Sequence, residues 1–170
     1  MAAVARSHRW KRRPSAPLTL AKVAGVAAAA VAAAHAAGLV HFGENYVQEG
    51  VGKVQALSHL PLVWHFIGAL QANKTRAVAE HFHWVHSIER EKIAARLSEQ
   101  RPDSLPPLQV CVQVNVSGEA SKSGCAPGEA VALALAVARL PRLHLRGLMA
   151  IPEPTDDMTL QRARFAALRG

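Results

Sequence analysis

Apolar positions along this chain recur with two alternating periods. The alanine-dense stretch 26–37 predicts a helix that Gly38 ends. Val40, Phe42 and Tyr46 mark a short β-type run, in which Gly43 lets the backbone turn or approach closely. Val47, Val51, Val54 and Leu57 then fall at helical spacing as far as Pro61. The run 62–68 is strand-like with His65 inside it, 73–82 helical, 84–88 a strand, and 89–100 a helix carrying Ile93 and Leu97. After the proline-rich link 101–107 comes the clearest strand, 108–116, then a polar loop at 117–124. A helix over 128–140, a strand over 143–151 and a helix from 159 complete the pattern. Strands and helices alternate throughout, so parallel β/α units with right-handed crossovers are expected. The strands are near-continuous apolar runs, as when both sheet faces are covered. Five strands are counted where a closed barrel needs about eight. The fold class is therefore α/β, an open sheet or an incomplete TIM-like barrel.

Composition sharpens this picture in two places. With 170 residues, half of them hydrophobic, one globular domain is expected, and no apolar run has membrane-spanning character. The formal net charge of +8 raises nucleic acid as a partner. Yet Arg6, Arg9, Lys11, Arg12, Arg13 and Lys22 all precede Glu44, the first acidic residue, so much of the basicity belongs to the N-terminal segment. Residues 1–25 are accordingly set apart as basic and atypical, and 26–170 taken as the barrel domain. A transit peptide, a basic arm for nucleic acid and a disordered tail compete for the first twenty-two residues, and the lack of apolar periodicity favours the last. Cys111 and Cys125 suggest neither a disulfide framework nor a metal site, so a reducing compartment is the default.

Polar residues gather at the C-terminal ends of the predicted strands. Asn45, His65, Gln71 with Asn73 and Lys74, His86 with Ser87, Asn115 with Ser117, and Met149 all stand there. One group per strand is what a ligand site in such a fold requires. Each residue also has a plainer role. Glu44 and Asn45 could cap the following helix, His65 could be a core imidazole bonded to a carbonyl, and Asn115 and Ser117 could be turn formers. Lys122 could be a solvated loop charge. Glycine-rich phosphate loops, His-Glu-x-x-His and Cys-x-x-Cys motifs are missing from the sequence, so spacing alone selects no chemistry.

Five segments, FGENYVQEGVGKVQ, WHFIGALQANKTR, HSIER, VQVNVSGEASKSG and LRGLMAIPEP, resemble in order and spacing the pyridoxal phosphate homeostasis proteins. This family, also called YggS or PROSC-like, is itself similar to the N-terminal domain of alanine racemases. The resemblance covers roughly residues 30–170. It implies a parallel β/α barrel that holds pyridoxal 5′-phosphate (PLP) on a lysine as a Schiff base. It further implies a monomeric, cytoplasmic or mitochondrial carrier or regulator of the B6 vitamers, without assigned turnover, whose partners include PLP-dependent apoenzymes. By resemblance, Asn45, His65 and Met149 lie near the cofactor ring, and Asn73, Lys74, Asn115, Lys122 and Ser123 shape the rim.

The family's cofactor lysine belongs to a Ser-Lys-Thr-Lys-Pro-like segment at the end of the first strand. Counting back from Phe42 sets that position near Ala24, within KVAGVAA, and Lys22 is the nearby lysine. Lys22 is therefore the candidate Schiff-base residue, joined in the expected cofactor set by Asn45, His65, Asn115 and Met149. The first strand is expected to be replaced. The family's last two strands, with their phosphate-binding groups, would follow Gly170. Three other function classes make distinct demands. A racemase-like enzyme needs a second acid/base, for which Tyr46 is the sole tyrosine. A nucleic-acid binder needs steep salt dependence carried by residues 1–22. A non-functional fragment needs non-cooperative folding.

Overall fold

The computed structural model describes residues 19–118 and 123–168. The chain runs β1 (Leu20–Lys22), α1 (Ala28–Ala36), β2 (His41–Glu44), α2 (Val47–Ala56), β3 (Val63–Phe66), a 3₁₀ turn (Ala72–Lys74) and α3 (Thr75–His81). It continues through β4 (Trp84–Ile88), α4 (Glu91–Gln100), β5 (Leu108–Gln113), a 3₁₀ turn (Pro127–Glu129), α5 (Ala130–Ala138), β6 (Leu143–Met149) and α6 (Met158–Ala166). All strand pairs are parallel, and the six strands lie side by side in sequence order. An unreversed order has no topological switch point, and α2 to α5 pack against one another in succession. This is the winding of a β/α barrel with its helices outside, left open between β1 and β6 among the described residues.

The sheet has one strand more than the sequence count. β1 pairs Leu20, Ala21 and Lys22 with His41, Phe42 and Gly43. Three residues ending in a lysine give no period to detect, yet the backbone ladder forms, and Val23 N–H extends it to the Gly43 carbonyl at 2.9 Å. The expectation that the first strand is replaced is thereby corrected. The readings of the basic tail and of Lys122 fall outside the described residues.

Sheet alternation divides the side chains cleanly. Ala21, Phe42, Trp64, Val110 and Leu145 face the helices, with Phe66 and Val85 in the same layer. Phe66 meets Phe82 edge-on, at 5.5 Å between centroids and 78° between planes. Helix α4 buries Ile93, Ala94 and Leu97 on one face, whereas alanine-rich α1 buries only Val31. Beneath α3 the buried Arg101 guanidinium donates to the Ala79, Phe82 and Pro106 carbonyls, which ties the proline-rich link to the end of α3. Helix α6 starts at Met158 because the Asp157 carboxylate accepts from the Thr159 and Leu160 N–H groups.

Candidate functional site

The inner face of the sheet carries the polar chemistry. A single register row crosses all six strands as Lys22, Gly43, His65, Trp84, Gln109 and His144. Lys22, the last residue of β1, is exposed, and Gly43 adds no side chain between it and His65. A Cβ at Gly43 would stand 3.0 Å from Ile67 Cδ1 and 3.5 Å from Leu20 Cδ1, so this part of the row is closely packed.

His65 is completely buried and bonds to two other imidazoles rather than to a carbonyl. Its Nε2 lies 2.9 Å from His41 Nδ1, and its Nδ1 lies 2.9 Å from His86 Nε2. Trp84 supports the line from below. Its indole stacks on His65 at 5.3 Å and 18° and on His86 at 5.7 Å and 29°, with the Arg146 guanidinium 5.7 Å from the indole centroid. Burial first, then the neighbouring His86, His41 and His83 rings, hold the His65 pKa down to about 3. Burial likewise lowers His86, and lowers His83 with help from Arg101 and His41.

The sign of this effect on stability follows directly. The unfolded imidazole takes a proton as pH falls below its ordinary value of 6.5, and the folded one does not until about 3. Within that window the unfolded state binds more protons, so stability decreases as pH drops. The urea midpoint is expected to be lower near pH 5 than near pH 7, and His65→Phe should narrow the gap. Equal midpoints at both pH values would mean that His65 is not held neutral by the fold.

Asn45 follows β2 directly, and its side-chain Oδ1 is buried without a hydrogen-bond partner. It borders a cleft of about 350 Å³ at the C-terminal ends of β2 and β3, shared with Tyr46, Gln48, Gly68, Gln71 and Lys74. Neither Glu44 nor Asn45 caps α2, whose N-terminus has no side-chain cap. Glu44 instead turns to the helix side, fully buried, with its Oε1 2.5 Å from Lys53 Nζ. The same ammonium donates to Glu49 Oε1 at 2.7 Å and to the Val23 carbonyl at 2.6 Å. Glu49 in turn accepts from Gly25 N–H at 2.6 Å.

The remaining candidates lie on the far side of the opening. Asn115 forms a turn, its Oδ1 accepting from Gly118 N–H at 3.1 Å while its own N–H donates to the Cys125 carbonyl at 2.9 Å. Met149, the last residue of β6, stands level with Gln113, and its carbonyl accepts from Val114 N–H at 2.8 Å. Ser123 is exposed and offers its carbonyl to Gln113 Nε2 at 3.1 Å. Asn45 and Lys74 thus share one cleft and Lys22 and His65 one row, whereas Asn115 and Met149 belong to the β5–β6 end. Sequence reasoning passed over His41 and His86 as partners of His65. Their separations of 24 and 21 residues match one β/α repeat each, a signal that the strand register makes readable.

A family model described as alanine racemase, N-terminal domain, matches residues 10–170. The pyridoxal phosphate homeostasis protein of Pseudomonas aeruginosa is 69% identical over 142 residues, covering 84% of this chain and 62% of that protein. The chain spans about 60% of the length of the curated relatives it matches. Among solved structures, PipY of Synechococcus elongatus with PLP bound is 35% identical at a TM-score of 0.80, covering 92% of this chain and 74% of PipY. The alanine racemase of Corynebacterium glutamicum, at 15% identity and a TM-score of 0.69, covers 88% of this chain and 43% of the racemase, and shares the fold.

Proposed function

Because the chain belongs to the alanine racemase N-terminal domain family, we propose that it binds pyridoxal 5′-phosphate on the inner face of its sheet. In this reading it serves as a carrier in cytoplasmic PLP homeostasis, passing the vitamer to PLP-dependent apoenzymes. The observation that carries the reading is the register row. It brings a primary amine, Lys22, to the end of β1 at the level of a buried neutral imidazole, with a glycine between them. PLP supplies an aldehyde that condenses with a primary amine and a pyridine ring that accepts stacking and hydrogen bonds.

The residues present fit that ring and its aldehyde. Lys22 Nζ is the amine that would hold the group covalently. The partnerless Asn45 Oδ1 is a buried acceptor still to be satisfied, as a ligand donor would do. His65 would keep a dry, uncharged wall at the same level, and Gln71 and Lys74 border the rim cleft from which an anionic ligand enters. The racemase-like alternative asks for an acid/base facing the lumen, and Tyr46 is 66% exposed at the rim instead.

Incubating the soluble chain with PLP, reducing with borohydride and mapping the peptides tests the reading. One stoichiometric label on Lys22 is expected, abolished by Lys22→Ala. Labels scattered over Lys74, Lys92 and other surface lysines, or no label at all, would overturn it.

A further inference from the structure

We propose that His41, His65 and His86 form a proton relay along the inner face of the sheet, with the three rings locked into one shared tautomer at a time. The geometry is a line that climbs the sheet. His41 opens β2 at the level of Val63, His65 sits two residues beyond Val63 on β3, and His86 sits two residues beyond Trp84, the partner of His65. The two ends are half-buried and the middle ring is sealed from solvent. Both nitrogens of His65 are occupied, each by a ring nitrogen of a neighbour at 2.9 Å.

The hydrogen count leaves two arrangements. A neutral imidazole has one N–H donor and one bare acceptor nitrogen. If His65 carries its proton on Nδ1, it donates to His86 Nε2 and accepts from His41 Nδ1. All three rings are then Nδ1–H tautomers. If His65 carries it on Nε2, it donates to His41 Nδ1 and accepts from His86 Nε2, and all three are Nε2–H tautomers. A mixed set leaves two protons, or two lone pairs, facing each other across one of the contacts.

Transfer follows by concerted exchange. Starting from the Nδ1–H set, a proton from solvent binds His41 Nε2. The His41 Nδ1 proton passes to His65 Nε2, the His65 Nδ1 proton passes to His86 Nε2, and His86 Nδ1 releases its own. One proton enters and one leaves, and the line ends in the Nε2–H set. The relay therefore carries protons between the start of β2 and the inner face of β4, whatever that face binds.

The same count makes the two ends mutually exclusive. Protonated His41 must donate from Nδ1 and fixes the Nδ1–H set, whereas protonated His86 must donate from Nε2 and fixes the other. Both cannot be charged without breaking a contact. The surrounding groups reinforce the limit of one added proton. His83 and Arg101 act from the base of β4, Arg146 lies over Trp84, the Cys111 thiol senses Arg146 from β5, and Lys22 ends β1 in the same row as His65. Among the described residues, no carboxylate forms a hydrogen bond or ion pair with any of the three rings.

Long-range proton–nitrogen correlation spectra of the ¹⁵N-histidine-labelled full chain, assigned with His41→Gln and His86→Gln, report each ring's tautomer. The expected result is one shared tautomer at neutral pH. Hydrogen-bond-mediated ¹⁵N–¹⁵N couplings are also expected across both contacts, His41 Nδ1 to His65 Nε2 and His65 Nδ1 to His86 Nε2. In His65→Phe the two ends should take their tautomers independently, because they no longer share a ring. Mixed tautomers in the folded wild-type chain would overturn the relay, as would the lack of a coupling across either contact. Should that variant fail to fold, the wild-type tautomer pattern decides alone.

Discussion

Exchanging Lys53 for methionine is expected to cost about 3–5 kcal/mol of unfolding free energy. Lys53 is 7% exposed and Glu44 is not exposed at all, so the exchange leaves a carboxylate in the interior without its counter-charge. Glu44 Oε2 already has no partner, which leaves no second donor to take over. The ammonium also links three pieces of chain, β2 through Glu44, α2 through Glu49 and the end of β1 through the Val23 carbonyl. Its loss therefore loosens the strand that carries Lys22. Urea unfolding of K53M gives the cost, and Glu44→Gln combined with Lys53→Met should recover most of it, because the stranded charge is then gone. A loss below about 1 kcal/mol would mean that water reaches the pair and screens it. Burial pulls the Lys53 pKa down, but its hydrogen bonds to Glu44 and Glu49 and their charges raise it on balance. A raised folded pKa gives a contribution that is complete below the ordinary lysine value and disappears as pH climbs past the folded one. The gap between wild type and K53M should thus close only in strongly alkaline solution. Glu49 behaves oppositely. The Lys53 hydrogen bond, then the one from Gly25, lowers its pKa, so its share is present above the ordinary carboxylate range and fades as pH falls.

This ion pair also marks where the sequence stops being readable. Glu44 and Lys53 lie nine residues apart on a strand and the helix after it, a spacing with no period of its own. Glu44 follows FG at a strand end, where a polar residue ordinarily faces solvent or caps a helix. Only the packing of α2 on β2, with Gly50 against Glu44, buries it on the helix side. Long, one-sided elements were legible. The Val-Cys-Val core of β5 and the Ile93 and Leu97 face of α4 announce themselves by alternation and helical spacing. β1 did not, because its ladder is made by backbone groups and three residues carry no pattern. In the sequence Lys22 is only the nearest lysine to the expected place, whereas its position at a strand end, level with His65, comes from register. The histidine line was hidden for the same reason, since each of its contacts joins residues more than twenty apart.

Gly68→Ala is expected to destabilise the chain by at least the upper end of about 1–3 kcal/mol and, on the function proposed above, to weaken PLP binding. A Cβ on Gly68 would lie 2.3 Å from the Asn45 carbonyl oxygen and 2.9 Å from Asn45 Cα, both backbone atoms that no rotamer change can move aside. The chain on either side is pinned. Ile67 N–H donates to the Glu44 carbonyl at 2.8 Å, and the Ser87 hydroxyl donates to the Gly68 carbonyl at 2.6 Å. Relief of the overlap has to come from pushing the segment after β2 away from β3, which carries the Asn45 Oδ1 out of its buried position. The loss should therefore appear as a lower urea midpoint and, if Lys22 holds PLP as proposed, also as loss of its labelling under conditions where the variant remains folded. Gly52→Ala is the counterpart within α2. Nothing lies within 4 Å of its added carbon, so helix propensity alone acts and the chain should gain roughly 0.5–1 kcal/mol. A Gly68→Ala chain as stable as wild type would show that β2 and β3 separate freely at their ends. Asn45 would then be mobile rather than preset, and its partnerless oxygen would find water instead of a ligand.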